Sequence, residues 1–231
     1  MFGIKTKLTT KVQKTLFKIF KLKLSNDFTA RSLMKIFRVD LYGHRASIKN
    51  SDVGYGWIHY GFIRQLKPSK ILCIGSRYGY IPAILAQACK DNGKGVVDFV
   101  DPGYGPENEN HWTGESFWKL ERGKLIFHDF GLGSFIKLHL MTSEEFADKH
   151  QKDYDYIYID GDHSYKGAST DYKLFWNRLN KNGFFVFHDI NVKGSKPEGV
   201  YGVEKLWREI GKKNAITFPF EGSGLGMLQK I

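Results

Sequence analysis

The chain of 231 residues has little cysteine and little proline, two of the first and six of the second. Cys73 and Cys89 both sit in apolar runs that read as buried, so a disulfide scaffold is excluded and a reducing compartment fits. No run of about 18 uninterrupted apolar residues occurs, which excludes a conventional membrane-spanning helix. An apolar signal core followed by a small-residue cleavage site is also missing at the N-terminus, and a cytoplasmic address is expected. There is no internal repeat and no low-complexity tract. Aromatics, by contrast, are plentiful at 15%, and hydrophobic residues at 42% supply a sizeable core.

The formal charge of +11 is unevenly placed. Residues 1–40 hold ten Lys/Arg against two Asp, so the body of the chain is close to neutral. A specific nucleic-acid partner is not expected, because such proteins carry positive charge around the active cleft. Lys7, Lys11, Lys14, Lys18 and Lys21 recur at alternating steps of four and three within an amphipathic helix expected over Leu8 to Leu24. Such a helix lies on an anionic membrane surface, packs on a partner, or docks on its own domain with a solvated lysine face, the last being the commoner case. Residues 1–50 are therefore read as a basic helical extension and 51–231 as the main domain. Self-association into a homo-oligomer is left open.

A helix is expected over Ser51 to Leu66, with Ser51 as its N-cap. After Lys67-Pro68-Ser69 the pattern becomes regular. Strands are expected at Lys70 to Ile74, Val96 to Val100, Phe135 to Leu140, Tyr156 to Ile159 and Phe184 to Phe187. Helices are expected at Pro82 to Ala88, at Tyr165 to Leu179 (stopped by Asn182-Gly183), and at Val203 to Ile210, with a further helical stretch around Phe117 and Trp118. Ala215 to Phe218 and Leu225 to Gln229, joined by a Gly/Ser turn, form a closing hairpin. The alternation gives an α/β fold: a doubly wound, mostly parallel seven-stranded sheet ending in an antiparallel hairpin.

Doubly wound sheets bind ligands beyond the carboxyl ends of their strands. After the first strand comes Gly75-Ser76-Arg77-Tyr78-Gly79, a turn that lets backbone approach a ligand or simply joins strand to helix. Asp101 follows the second strand, placed to accept hydrogen bonds from a ribose or to form a turn before Pro102. Ser143 and Glu144 follow the third and could reach an adenine ring, while Thr142 and Glu145 have capping-box spacing. Asp160-Gly161-Asp162-His163 follows the fourth strand and His188-Asp189 the fifth. Adjacent parallel strands lie about 5 Å apart, so these two clusters face each other across a small ligand. Each cluster alone reads equally as a helix cap or a local turn. His111-Trp112, in the loop after the second strand, would overhang the same cleft or pack in the core.

The order of elements resembles the class I S-adenosylmethionine-dependent methyltransferases. The runs Tyr156-Ile157-Tyr158-Ile159-Asp160-Gly161-Asp162-His163-Ser164-Tyr165 and Asn182-Gly183-Phe184-Phe185-Val186-Phe187-His188-Asp189-Ile190 are similar to small-molecule O-methyltransferases related to macrocin O-methyltransferase and the cephalosporin hydroxylase family. The resemblance covers roughly Lys70 to Ile231. Two positions depart from the pattern: Cys73 stands where an acid is frequent, and Arg77 where a middle glycine is usual.

The resemblance implies an S-adenosylmethionine-dependent methyltransferase acting on a small-molecule acceptor such as a sugar or glycosylated compound. It implies cofactor contacts from Gly75, Ser76, Arg77, Tyr78, Gly79, Asp101, Ser143, Glu144 and Asp160. It also implies a magnesium or other divalent cation on Asp160, His188 and Asp189, with His163, helped by Asp162, as general base. Two other readings stand beside it. One is a hydroxylase-like member of the same broad family, compatible with two histidines near two carboxylates. The other is a non-catalytic, membrane-associated scaffold using the basic helix.

Overall fold

The computed structural model of the chain describes residues 15, 23–39, 44–106, 115–196, 199–210, 213–219 and 222–231. The helix expected over Leu8 to Leu24 and the His111-Trp112 pair therefore lie, the first almost wholly and the second entirely, outside the described residues.

Helix α1 (Asp27–Ile36) starts where the Asn26 side chain accepts the Phe28 N–H, with Asp27 in its first turn and Lys35 in its last, each favourable to the helix dipole. It buries Ala30, Leu33 and Met34, and Leu24, Phe37 and Val39 join the same core. Helix α2 (Tyr55–Leu66) begins four residues later than expected. Ser51 is not its cap: it has φ +58 and its hydroxyl takes the Arg31 guanidinium, while Asp52 accepts the Gly54 N–H and the Trp57 indole N–H. The helix ends at Lys67 in a left-handed conformation, just ahead of Pro68.

The regular part then runs β1 (Lys70–Ile74), α3 (Tyr80–Asn92), β2 (Val96–Val100), a 3-10 turn (Phe117–Lys119), α4 (Glu121–Asp129), β3 (Ile136–His139), α5 (Ser143–Lys149), β4 (Tyr154–Ile159) and α6 (Tyr165–Phe175). A 3-10 turn (Trp176–Arg178) leads into β5 (Leu179–His188), followed by a small hairpin, β6 (Gly194–Lys196) and β7 (Gly199–Tyr201), then α7 (Val203–Ile210), β8 (Ala215–Phe218) and β9 (Leu225–Gln229). Helix α6 stops at Phe175 rather than at Asn182-Gly183. Those two residues lie inside β5, where Asn182 N–H and Gly183 C=O pair with Lys230 and tie the strand's entry to the tail.

The sheet order is β3-β2-β1-β4-β5-β9-β8. Strands β1 to β5 are parallel, and β9 is antiparallel to both β5 and β8. Residue parity along β1 divides the core: Ile71 and Cys73 face the side covered by α1, α2 and α3, while Leu72 and Ile74 face Phe146, Ala168, Phe175 and Trp207 from α5, α6 and α7. The β6–β7 hairpin is a separate two-stranded sheet. Among the described residues no helix is long and apolar enough to cross a membrane. Strand order reverses between β1 and β4, and the crevice at such a reversal is where open α/β sheets receive ligands.

Candidate active site

The two strand ends at the reversal touch. Gly75 has φ +70, and a Cβ there would fall 2.4 Å from Gly161 Cα and 2.5 Å from the Asp160 carbonyl oxygen. Glycine is therefore required by both conformation and contact. Gly79 has φ +86 and lies against the Trp118 ring. Between them Ser76 is buried, and its hydroxyl has no hydrogen-bond partner. The Ser76 N–H donates to Asp101 Oδ2 at 3.4 Å, and the Gly103 N–H to Asp101 Oδ1 at 2.8 Å. Burial raises the Asp101 carboxyl to about 6 against the opposing pull of these two donors. Asp101 is thus a turn former at the end of β2, tied to the glycine turn that follows β1.

Farther along, Thr142 and Glu145 do form a capping box, which starts α5 and places Ser143 and Glu144 in its first turn. Beneath them is a group that sequence reasoning missed. Asp171 of α6 is buried, is raised to about 7 by burial with the Ser143 hydroxyl beside it, and lies 3.9 Å from the Cβ position of Gly161.

Beyond β4 and β5 the expected clusters meet. His163 Nδ1 is 2.8 Å from Asp189 Oδ2 and 4.0 Å from Asp160 Oδ1. His188 Nδ1 lies between the two acids, 3.2 Å from Asp160 Oδ1 and 3.1 Å from Asp189 Oδ1, at angles too oblique for good hydrogen bonds, and its Nε2 has no partner. Tyr158 donates its hydroxyl to Asp160 Oδ2 at 2.8 Å. Burial alone would depress both imidazoles, but the facing carboxylates hold His163 above 6.5 and His188 well above it. Burial likewise opposes ionisation of Asp160 and Asp189, and the two imidazoles overcome it and hold both acids below the usual carboxylate range. Asp189 adopts φ +60, an uncommon conformation for a non-glycine residue, which turns its side chain back toward His163.

Asp162 is not brought into this group. Its carboxylate accepts the Ser164 N–H at 2.8 Å and packs against Gly167, inside the turn that starts α6, where Ser164 is the N-cap. The local hydrogen bond wins over a role beside His163. Other neighbours come from segments that sequence reasoning did not connect to the site. The buried His44 ring lies 4.9 Å from His188, and burial depresses it to about 4, so it is neutral. Tyr55 lies 5.6 Å from His188 and is tied by its hydroxyl to Ser223 and to the Gly224 N–H. Tyr201 of β7 lies 5.0 Å from His163, and the Gly202 N–H donates to the His163 carbonyl, so the small hairpin covers His163. Only Tyr158 was legible in advance, since alternation puts it on the same strand face as Asp160.

A seven-stranded sheet with this order, a glycine turn after β1, and acids after β2 and β4 define the class I S-adenosylmethionine-dependent methyltransferase fold. The chain belongs to the methyltransferase domain family, whose pattern matches residues 72–190, just over half of it. Similar solved structures include the S-adenosylhomocysteine-bound methyltransferase PaMTH1 of Podospora anserina (15% identity, 87% of this chain and 88% of that one, TM-score 0.60). An O-methyltransferase from Bacillus cereus in complex with S-adenosylhomocysteine is also similar (13% identity, 95% and 97%, TM-score 0.59). So is TomG of Streptomyces achromogenes, an O-methyltransferase involved in tomaymycin synthesis, in complex with S-adenosylmethionine (15% identity, 90% and 89%, TM-score 0.57). In sequence, the chain is 31% identical over 70 residues to the uncharacterised protein R132 of Acanthamoeba polyphaga mimivirus, spanning 30% of this chain and 32% of that protein.

Proposed function

We propose that the chain transfers the methyl group of S-adenosylmethionine to a hydroxyl of a small molecule, with His163 as general base. The observation that carries this is the 2.8 Å His163–Asp189 contact, which lies beside the Gly75–Gly161 contact at the strand reversal. Base and cofactor turn are thereby adjacent.

When bound, the cofactor supplies a sulfonium methyl that an oxygen nucleophile takes up as the carbon–sulfur bond breaks. The chain's part is alignment and proton management. Asp101 takes the ribose hydroxyls, the Gly75–Gly79 turn lets backbone approach, and Ser76 offers its buried hydroxyl. Asp189 holds the Nδ1–H of His163, so that Nε2 receives the acceptor's proton. The covering hairpin and the His44–Tyr55 wall limit water and acceptor size.

The donor set fits a divalent cation: Asp160, His163 and Asp189 each present a ligand atom, all within 4.8 Å of one another. Asp160 and Asp189 would hold it with His163 beside them, rather than with the expected His188, and it would lower the acceptor hydroxyl's pKa. A metal-free reading has its own support, because two imidazoles already sit 2.8 to 3.2 Å from the acids and neutralise them. The acceptor we favour is a sugar or glycosylated compound, on the resemblance of the Asp160–Tyr165 run.

Incubation with methyl-deuterated S-adenosylmethionine and a panel of hydroxylated sugars, glycosides and phenols, followed by mass analysis, tests the reading. Gain of a deuterated methyl is expected. Gain of oxygen under aerobic conditions would instead establish a hydroxylase. Activity that survives exhaustive chelation would establish the metal-free form.

A further inference from the structure

We infer that Arg38 binds the carboxylate of the cofactor's methionyl group and so makes the enzyme selective for the intact amino-acid tail. This rests on the S-adenosylmethionine reading above. Arg38 lies outside residues 72–190, in the segment that precedes the family-matched part of the chain.

Helix α1 delivers the residue. Phe37 caps the helix, its N–H donating to Leu33, and its ring stacks on Phe127 at 5.4 Å. The next residue, Arg38, adopts φ +54, a left-handed position where glycine or asparagine is the ordinary occupant. An arginine kept there carries a conformational cost that needs a return elsewhere.

Its guanidinium lies over the ring of Tyr78, Cζ 4.3 Å from the centroid, and Tyr78 belongs to the glycine turn after β1. The Arg77 guanidinium lies 5.5 Å from the same ring. Two positive groups at one aromatic ring add to the attraction for an anion at the turn. Among the described residues, no carboxylate lies within ion-pair reach of Arg38.

The turn offers the ligand a path. Ser76 N–H is bound to Asp101, the ribose end, while Ser76 Oγ is buried without a partner two residues before Tyr78. A thioether-linked adenosine anchored at Asp101 and crossing Ser76 brings its amino-acid end to Tyr78 and the two arginines. The ammonium of that end is drawn to Asp160 and the carboxylate is repelled by it, so a cation on the far side sorts the two. A guanidinium held flat on an aromatic ring keeps its N–H edge available for the two carboxylate oxygens.

The test is calorimetric titration of wild type, Arg38→Gln and Arg38→Gly with two ligands. One is S-adenosylhomocysteine. The other is its decarboxylated analogue, which keeps the thioether, the adenosine and the ammonium. Arg38→Gln should weaken S-adenosylhomocysteine by about 10- to 100-fold, as expected for a lost charge-assisted pair, and leave the analogue unchanged. Arg38→Gly relieves the left-handed strain, so it should fold and show the same selective loss. Equal weakening of both ligands, or no weakening of S-adenosylhomocysteine, overturns the inference. A wild-type chain that binds neither ligand overturns the cofactor reading beneath it.

Discussion

At the scale of single residues, the proposed chemistry rests on His163. Its Nδ1 is committed to Asp189, and the neighbouring acids raise its pKa above 6.5 against the effect of burial. A raised pKa means that the base is protonated, and idle, up to a higher pH than a free histidine would be. The acidic limb of the pH–rate profile should therefore lie above pH 6.5, with turnover falling as pH drops through it. His163→Ala should lower turnover by about 10²- to 10⁴-fold and remove that limb, while cofactor affinity barely changes. Near-normal turnover with the limb intact would make His163 structural and turn attention to His188. Linkage runs the same way: the His163–Asp189 pair adds stability below pH 6.5 and loses it as pH rises through the folded value. The four residues Asp160, His163, His188 and Asp189 were legible because they end adjacent parallel strands. Arg38, His44 and Tyr55 were not, because only tertiary packing carries a residue from the α1–α2 region to the ends of β1 and β5. For Asp162 the local-turn alternative holds, since its carboxylate accepts the Ser164 N–H.

At the scale of elements, the strands and helices that form the sheet were readable where their apolar content is continuous. β1, β2 and α7 fall on their expected bounds because Lys70–Ile74, Val96–Val100 and Val203–Ile210 each sit between clear breaks. The β6–β7 hairpin escaped notice because Gly-Ser-Lys and Gly-Val-Tyr carry no strand pattern and pair through their backbones. α4 was missed because Glu121–Asp129 has a glycine in its first turn and mostly polar residues, and that glycine is there for contact: a Cβ at Gly123 would lie 2.1 Å from the Phe117 carbonyl oxygen. The β1–β4 contact makes a sharper prediction. Gly75 and Gly93 have nearly the same φ, +70 and +71, but an added Cβ meets backbone at Gly75 and nothing within 4 Å at Gly93. Gly93→Ala should cost about 1–2 kcal/mol for the left-handed conformation alone. Gly75→Ala should cost clearly more, on the order of 3 kcal/mol or unfolding outright, and should weaken cofactor binding in whatever remains folded. Equal melting temperatures for the two variants would show that the strand ends do not need their close approach.

At the scale of the whole molecule, the two ends of the chain divide the labour over one sheet. The family-matched residues 72–190 include the glycine turn, Asp101 and both strand-end clusters. What precedes them adds α1 and α2 to one face, and the tail adds β8, β9 and the Ser223–Gly224 anchor of Tyr55. Charge follows the same division, with most of the +11 in residues 1–40 and a nearly neutral body around the site. The reversal of strand order between β1 and β4 puts Asp101, Ser76 and the Gly75–Gly161 contact in one crevice, the proposed place of an adenosine ligand. Calorimetric titration of S-adenosylhomocysteine into wild type and Asp101→Ala tests that claim most directly. Saturable one-to-one binding to wild type is expected, with a loss of roughly 1.5–3 kcal/mol, or about 10- to 100-fold, in the variant, whose sheet should remain intact. No binding to wild type, or wild-type affinity in Asp101→Ala, would contradict it.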